Sequence, residues 1–398
     1  MPDATTSNPT IEIDDPAALR DLVNDCVARA NPLIDYGIAH AGLGHPPPPE
    51  HTRLSQRGGV IEHYERDLVL RAACGAPLGE LQAVLRPCNQ FLPIDADPDL
   101  TLGEIINHNV YGPLRVSFGA VRDLMLGARY VDGKGRDIHV GGRTVKNVAG
   151  YDVTRFMVGS LGEMGVVYEA TLRTYAVPKQ VTDLELTLDD PAVLDGALSD
   201  WLLTDAAPAT MLLARDAGQW KMCLAYFGTA SGCAAQRRSL ETRLGQLDGL
   251  EPASARDDQL GAHLDDQAVR RSWRRSAPTV VRIIVPPAHT GETCKALADW
   301  AAGEPGFQIE ALPIHGCIFA GGDLDAGRAS TLDEIVAKAI EPLGGLRVWH
   351  SRPEGAASIE PFAPPQPDWP LLERLKRTMD PNRIFNPGRF LGRQELVS

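Results

Sequence analysis

The stretch 101–174 decides the fold, and it reads TLGEIINHNVYGPLRVSFGAVRDLMLGARYVDGKGRDIHVGGRTVKNVAGYDVTRFMVGSLGEMGVVYEATLRT. Glycines recur in it between apolar runs, where a chain needs positive φ or lets a ligand approach its backbone. Backbone N–H groups in such turns can face an anion, so the pattern favours a cradle for a negatively charged ligand. Glycine-rich turns also occur in ordinary hairpins, so spacing by itself leaves both interpretations open.

Composition is typical of a globular protein with two lobes. The 398 residues exceed one ordinary domain, and hydrophobic residues make up 43% of the chain against 23% for charged residues. The net charge of −13 argues against nucleic acid and anionic lipid as direct partners. No apolar run reaches the roughly 18 residues of a membrane-spanning helix, and the first residues lack the basic and apolar regions of a signal peptide. We therefore expect a cytoplasmic protein.

Cysteine and histidine spacing argues against a metal centre. The seven cysteines are scattered and form no C-x-x-C pair, so we interpret them as reduced, buried thiols. The histidines include no H-x-H or H-x-x-x-H pair. The sequence therefore predicts neither a metal ion nor an iron–sulfur cluster within this chain.

Periodicity divides the first half of the chain into short elements. The polar residues 1–12 are interpreted as a flexible N-terminus. A helix is predicted from Pro16 to about Ala30, because Asp15 is a capping residue and proline suits a first helical turn. A short strand at 32–36 then leads into a first glycine-rich loop and a proline run.

The second half changes in character. Alternating strands separated by helices at 178–357 predict an antiparallel sheet with two or three helices over one face. A proline-rich linker at 358–370 leads to a closing segment, 371–392, whose helix ends at Asp380-Pro381.

Several motifs stand in the order of a known family. They are G-P-x-R, G-x-V-R-D-x-x-L-G, K-N-V-A-G-Y-D, G-S-x-G-x-x-G-V and D-P-N-R-I-F-N-P-G-R, at 112–115, 119–127, 146–152, 159–166 and 380–389. This order resembles the FAD-binding domain of the vanillyl-alcohol oxidase (PCMH) type. Within that family it is most similar to the E subunit of bacterial glycolate oxidase.

The resemblance implies an α+β fold with two lobes. An FAD-binding lobe would span 13–177 and take in the returning segment 371–392, and a cap lobe of antiparallel sheet plus helices would span 178–357. It implies FAD as cofactor, with a second FAD subunit and an iron–sulfur subunit as partners. Any attachment to the inner membrane would then be made through those partner subunits.

The resemblance also implies cofactor contacts in the glycine-rich loops. These are expected at Gly37, Gly42, Gly44, Gly103, Gly112, Pro113, Gly119, Asp123, Asn147, Gly150, Tyr151, Asp152, Gly159, Gly162, Gly165, Val166 and Asn386. Local alternatives stay open, since Asp152 suits a helix N-cap and Asn386 stands beside a Pro-Gly turn. The first loop, which lacks the family's usual Ser or Lys, also suits a plain turn before a proline spacer.

One departure bears on the cofactor. Where the family has a Gly-Gly pair, this chain has Gly103-Glu104, and Asn107-His108-Asn109 replaces the usual small residues. A Glu104 carboxylate aimed at a pyrophosphate would repel it, whereas one aimed elsewhere is harmless. A Rossmann site is excluded, because the glycines at 159–165 do not have the G-x-G-x-x-G spacing.

Candidate catalytic residues lie in the second half. Oxidation of a 2-hydroxy acid needs a cation for the carboxylate and a base for the hydroxyl proton. Arg282 stands in an otherwise apolar strand, so it is either paired structurally or faces a cavity. His315 and His350 are candidate bases, against the alternative that they are structural histidines.

These expectations combine into one prediction and one alternative. The chain is predicted to be an FAD-dependent oxidoreductase subunit that oxidises glycolate or D-lactate and passes electrons to an iron–sulfur subunit. The alternative is a scaffold or electron-relay subunit that keeps the fold while its cofactor loops have weakened. Fold does not by itself decide between them.

Overall fold

The computed structural model describes residues 8–35, 43–142, 152–196, 207–216, 218–244 and 250–391. They form two compact units. The first unit comprises 1–111, 119–176 and 365–398, and the second comprises 112–118 and 177–364. In the described residues no helix is both long and apolar enough to cross a membrane.

The helices are mostly short. In chain order, and within the described residues, they are α1 Pro16–Arg29, α2 Leu78–Leu85, α3 Leu102–His108, α4 Arg115–Phe118, α5 Val121–Leu124, α6 Val153–Phe156, α7 Ala230–Leu244, α8 Leu260–Arg271, α9 Trp273–Ser276, α10 Thr290–Trp300, α11 Ala326–Ile340 and α12 Trp369–Met379.

The strands supply most of the framework. In chain order they are β1 Thr10–Ile13, β2 Leu33–Asp35, β3 Thr52–Gln56, β4 Val60–Tyr64, β5 Val69–Ala73, β6 Gln90–Phe91, β7 Met125–Val131, β8 Asp137–Gly141, β9 Val166–Arg173, β10 Tyr175–Ala176, β11 Gln180–Leu188, β12 Thr210–Asp216, β13 Gln219–Gly228, β14 Leu250–Asp258, β15 Thr279–Ile284, β16 Gln308–Leu312, β17 Cys317–Gly322, β18 Leu346–Ser351 and β19 Phe362–Ala363.

The first unit contains a parallel sheet and an antiparallel sheet. Strands β1-β3-β2 pair in parallel, and β4-β5-β9-β7-β8 form an antiparallel sheet. The C-terminal segment extends the parallel sheet, because Leu33 of β2 bridges to Phe385. One apolar core packs α2 and α3 on the antiparallel sheet, and a second packs α1 on β2 and β3.

The second unit is built on one antiparallel sheet of nine strands. Its order is β14-β11-β13-β12-β16-β17-β15-β18-β19. Alternate side chains of this sheet, including Val281 and Ile283, pack with α7, α10 and α11 into one apolar core. The other face of the sheet, which we call the second sheet face, carries α8 and α9. The mixture of helices with antiparallel sheets confirms the predicted α+β fold class.

Three boundaries differ from the sequence-based expectations. Strand β1 includes residues 10–12, which were expected in a flexible N-terminus, because the half-buried Ile11 and Ile13 pack on the second core of the first unit. Gly112–Phe118 group with the second unit. In the expected linker, 358–370, Phe362–Ala363 pair with β18 and the closing helix already begins at Trp369.

Candidate functional site

A loop of residues 159–165, which we call the glycine loop, lies against the end of α3. The Gly159 N–H donates to the Ile106 carbonyl at 2.8 Å, and the Leu161 N–H donates to the Asn107 carbonyl at 3.1 Å. Gly159 has φ of +78°, and a Cβ there would come within 3.3 Å of the Asn109 Cβ. Both the backbone conformation and the close approach therefore favour glycine at this position.

The end of α3 and the neighbouring glycine loop carry three buried polar atoms without partners. Asn107 Oδ1, Asn109 Oδ1 and Ser160 Oγ have no hydrogen-bond partner among the described residues. Asn107 is only 3% exposed, and its Nδ2 donates to Asp35 Oδ2 at 3.2 Å. Because buried polar groups are nearly always satisfied in folded proteins, this cluster indicates a place for a polar ligand. We call it the asparagine–glycine cluster.

Asn386 connects two parts of this cluster. Its Oδ1 accepts from the Asp35 N–H at 3.2 Å, and its Nδ2 donates to the Leu161 carbonyl at 2.9 Å. The residue is 2% exposed. Both ends of its amide are thus bonded to backbone. Asn386 therefore affects a ligand indirectly, by fixing the positions of Asp35 and Leu161.

Glu104 points back at its own helix. Its Oε2 accepts from the Thr101 N–H at 2.9 Å and from Thr101 Oγ1 at 3.0 Å, as in a capping box. Of the two alternatives for this carboxylate, the structure therefore places it on the helix cap. Packing favours glycine at position 103, because its N–H donates to the Cys74 carbonyl at 2.7 Å and a Cβ there would lie 3.2 Å from that oxygen.

Two predicted cofactor aspartates form local caps. Asp123 Oδ2 accepts from the Ala120 N–H at 2.9 Å, beside Gly119, whose φ is +79°. Asp152 Oδ1 accepts from the Arg155 N–H at 3.1 Å and caps α6. These contacts match the capping alternative for Asp152 and leave its role near a cofactor a prediction.

The other predicted cofactor residues are spread over several segments. Gly162 and Gly165 have positive φ in the glycine loop, and Gly44 has φ of +87°. Val166 begins β9, with its side chain buried in the second core of the first unit. Gly112 and Pro113 accept from the N–H groups of Arg115 and Val116 at the start of α4, in the second unit. The predicted sites at Gly37, Gly42, Asn147, Gly150 and Tyr151 lie outside the described residues.

The second sheet face gathers charged groups around Phe319. Arg282 of β15 and Glu310 of β16 both lie directly opposite Phe319 of β17 in the sheet register. Residues opposite one another on neighbouring strands share a face, so these three side chains form a row. The His350 ring meets the Phe319 ring edge-on, with centroids 5.8 Å apart. Two predicted catalytic residues, Arg282 and His350, therefore lie on one face.

Helix α9 adds a second cation to this row. The Arg274 guanidinium stacks 3.6 Å from the centroid of Phe319, and its Nε donates to Glu310 Oε2 at 2.9 Å. Trp273 Nε1 donates to the same oxygen at 3.3 Å. Glu310 is 2% exposed, and its Oε1 has no hydrogen-bond partner within the described part of the chain. That oxygen is available to accept from a ligand hydroxyl.

His315 stands apart from this row. It lies in the turn between β16 and β17, and burial, with Arg115 as a second cause, lowers the pKa of its imidazole to about 4. His315 is therefore neutral at pH 7, and as a base it is weaker than an ordinary histidine. The structure thus brings together Arg282 and His350 but not His315.

Sequence reasoning missed Arg274, Trp273 and Glu310 as site residues. The run Trp273-Arg274-Arg275-Ser276 has the composition of an exposed basic turn, and only the strand register shows that Glu310 faces it. The sequence signals for the asparagine–glycine cluster were the glycine motif at 159–166 and the replacement of small residues by Asn107 and Asn109.

Comparisons with known proteins agree with these features. The family model of the FAD binding domain matches residues 10–141. Glycolate oxidase subunit GlcE of Escherichia coli (strain K12) is 27% identical over 95% of this chain and 98% of that protein. Glycolate oxidase subunit GlcD of Bacillus subtilis (strain 168) is 27% identical over 74% of this chain and 68% of that protein.

A solved structure supports the fold. Alkyldihydroxyacetonephosphate synthase matches with a TM-score of 0.70 at 15% identity, covering 96% of this chain and 78% of that one. At this identity the match speaks for the fold alone. Residues 10–141 are therefore similar to the FAD binding domain, and the resemblance to the E subunit of glycolate oxidase that the motifs indicate is confirmed.

Proposed function

We propose that this chain is the FAD-binding subunit of a glycolate oxidase-type complex, oxidising a 2-hydroxy acid such as glycolate or D-lactate to the 2-oxo acid. The observation that carries the proposal is the asparagine–glycine cluster, which has three buried polar atoms without partners among the described residues and whose Asn107 and Asn109 lie within the match to the FAD binding domain. FAD, when bound, accepts the hydride from the hydroxyl-bearing carbon. The chain's own residues bind the cofactor, orient the 2-hydroxy acid and accept its hydroxyl proton.

The asparagine–glycine cluster fits the cofactor chemically. Asn107, Asn109 and Ser160 offer amide and hydroxyl groups, which pair with the hydroxyls and ring edges of a dinucleotide. Gly162, which has positive φ, presents bare backbone of the kind that a pyrophosphate can approach closely. Because Glu104 is held on its own helix cap, the structure gives it no part in repelling the pyrophosphate.

The second sheet face fits a 2-hydroxy acid. Arg282, with Arg274 beside it, offers guanidinium groups for a carboxylate, and the buried Glu310 Oε1 offers an acceptor for a hydroxyl. His350 is the preferred base, because its ring is oriented by Phe319 and lies on the face that carries Arg282. His315, with its pKa near 4, holds a proton too weakly for this role.

The partners follow from the relatives and from chemistry. GlcE and GlcD are named as subunits, and we propose that this chain likewise works with a second FAD subunit and an iron–sulfur subunit. The latter would accept the electrons, since the sequence of this chain has no clustered cysteines for a cluster. We propose a cytoplasmic location, with contact to the inner membrane made by the partners.

The test is an anaerobic reduction of the purified, FAD-loaded chain, alone and co-expressed with the proteins encoded beside it. Glycolate or D-lactate is added while the visible flavin absorbance is recorded, with Arg282→Gln as the matched variant. Bleaching in the wild type that is lost in the variant supports the proposal. Flavin that no 2-hydroxy acid bleaches would overturn the catalytic part in favour of an electron relay. A protein that shows no flavin absorbance, even when purified with its partners, would support the alternative that the chain is a scaffold subunit.

A further inference from the structure

A buried cation ties the closing helix to the glycine loop. The Lys376 ammonium donates to the Glu163 carbonyl, to Asp380 Oδ2 at 2.7 Å and to the Phe385 carbonyl at 2.8 Å, which uses all three of its protons. Lys376 is 2% exposed and Asp380 is fully buried. Asp380 in turn accepts from the N–H groups of Ile384 and Phe385 at 3.1 and 2.9 Å.

The Glu163 side chain holds the same segment from the other side. Its Oε1 accepts from the Phe390 N–H at 2.6 Å and from the Leu391 N–H at 3.1 Å. Glu163 follows Gly162 directly, so it fixes the glycine loop to the last described residues of the chain. Lys376 thus binds the backbone carbonyl of Glu163, while the Glu163 carboxylate binds the backbone N–H groups of Phe390 and Leu391.

A second cation holds the segment that follows the first glycine-rich stretch. Arg389 is 2% exposed, and its guanidinium donates to the carbonyl of His45 at 2.8 Å and to the carbonyl of Leu43. The His45 N–H returns a hydrogen bond to the Arg389 carbonyl at 3.0 Å. Arg389 therefore fixes the path of the backbone at Leu43–His45.

One short segment thus bonds to two stretches in which cofactor contacts are predicted. Lys376 and the Glu163 carboxylate connect it to residues 161–163, Arg389 connects it to residues 43–45, and Asn386 joins Asp35 to Leu161. Apolar packing would suffice to dock a closing helix. Buried charges bonded to individual carbonyls instead fix the direction of each loop, since these bonds are short and directional.

We propose that residues 376–391 form a C-terminal clasp that shapes the FAD loops, with Arg389 and Lys376 as positioning residues for flavin retention. The inference rests on the proposed function, because it assigns the clasp to the loops that hold FAD there. It predicts that loosening the clasp releases FAD before the unit unfolds.

The experiment compares Arg389→Lys with Arg383→Lys in the FAD-loaded chain. Lysine keeps the charge but lacks the planar fork of N–H groups with which the longer guanidinium bonds to the carbonyls of Leu43 and His45. Arg383 lies in the same segment, and its guanidinium forms a 3.9 Å ion pair with Glu373 of the closing helix, so Arg383→Lys is the matched control. FAD dissociation on dilution into FAD-free buffer is followed by the rise in fluorescence of the released flavin, and amide exchange at 43–45 and 161–163 is measured without FAD.

Arg389→Lys is expected to raise the FAD dissociation rate by about tenfold and to speed exchange at 43–45, with Arg383→Lys at the wild-type values. Equal dissociation rates in folded Arg389→Lys and wild type would overturn the clasp. If Arg389→Lys does not fold, Glu163→Gln, which retains an acceptor oxygen, is tested in its place. It is then expected to raise the FAD dissociation rate and to speed amide exchange at 161–163, and an unchanged dissociation rate would overturn the clasp. A wild type that binds no FAD would refute the proposed function instead.

Discussion

The asparagine–glycine cluster and the second sheet face are built in opposite ways. The first is made of backbone turns whose shape is fixed by buried charges on another segment, such as Lys376. The second is made of side chains on consecutive strands, where the sheet itself sets Arg282, Phe319 and Glu310 in a row. A substitution that disturbs structure should therefore act on cofactor binding in the first region, whereas a substitution that changes chemistry should act on turnover in the second.

The largest effect is expected from Lys376→Met. This change leaves Asp380 buried without its cation, which costs about 3–5 kcal/mol of unfolding free energy. Chemical denaturation of the FAD-free protein measures it. Arg377→Met, at an exposed position on the same helix, is the control and is expected to change little. Equal stability of the two variants would show that the Lys376–Asp380 pair is not a structural support.

Arg282→Gln is expected to act on chemistry. Loss of the guanidinium should lower kcat/KM for a 2-hydroxy acid about a hundredfold, or ~3 kcal/mol, while the bound FAD per chain stays the same. Steady-state kinetics and the flavin-to-protein ratio provide the two readouts. Arg275→Gln, exposed on the neighbouring α9, is the control. If Arg282→Gln lost its bound FAD together with its activity, the claim that the second sheet face acts on turnover and not on cofactor binding would be wrong.

Glu163 gives the clasp a dependence on pH. Burial raises the pKa of this carboxyl from 4.5 to about 7, although Lys376 opposes the shift. In the unfolded chain the group ionises near its ordinary pKa, so folding stability falls as pH rises from 4.5 through 7, by up to about 3 kcal/mol. Glu163→Gln does not titrate, and its stability relative to wild type should therefore rise between pH 5 and pH 8. If the unfolding free energies of the two proteins changed in parallel with pH, the titration of Glu163 would not be the cause of the pH dependence.

The smallest effect is expected from Glu104→Ala. Loss of the capping box should cost about 1 kcal/mol of stability and leave FAD affinity unchanged, because the carboxylate is bonded to Thr101. Thermal melting and FAD titration measure the two quantities, with Glu80→Ala in α2 as a comparison. A marked gain in FAD affinity would mean that Glu104 repels the cofactor after all.

Sequence patterns predicted the local features well. Asp15-Pro16 marked the start of α1, where the Asp15 side chain accepts from the Ala18 N–H at 3.1 Å. The glycines at 159–165 stand where positive φ is needed. These signals are local, since capping and backbone conformation depend on a few neighbouring residues.

Features that depend on distant partners were not predictable. Asn386 was expected at the flavin, but its partners Asp35 and Leu161 lie hundreds of residues away in the chain. The pairing of Arg274 with Glu310 needs the register of β16 and the position of α9, neither of which a single sequence reveals. β1 was missed because four residues carry too short an alternation to separate from a polar terminus.

Hydrogen–deuterium exchange of the chain with and without FAD shows whether the asparagine–glycine cluster is the flavin site. FAD is expected to slow amide exchange at 107–109 and 159–162, where the buried polar atoms lack partners among the described residues, and to leave α11 unchanged. Protection confined to other segments, or none at saturating FAD, would contradict the assignment of the asparagine–glycine cluster as the flavin site.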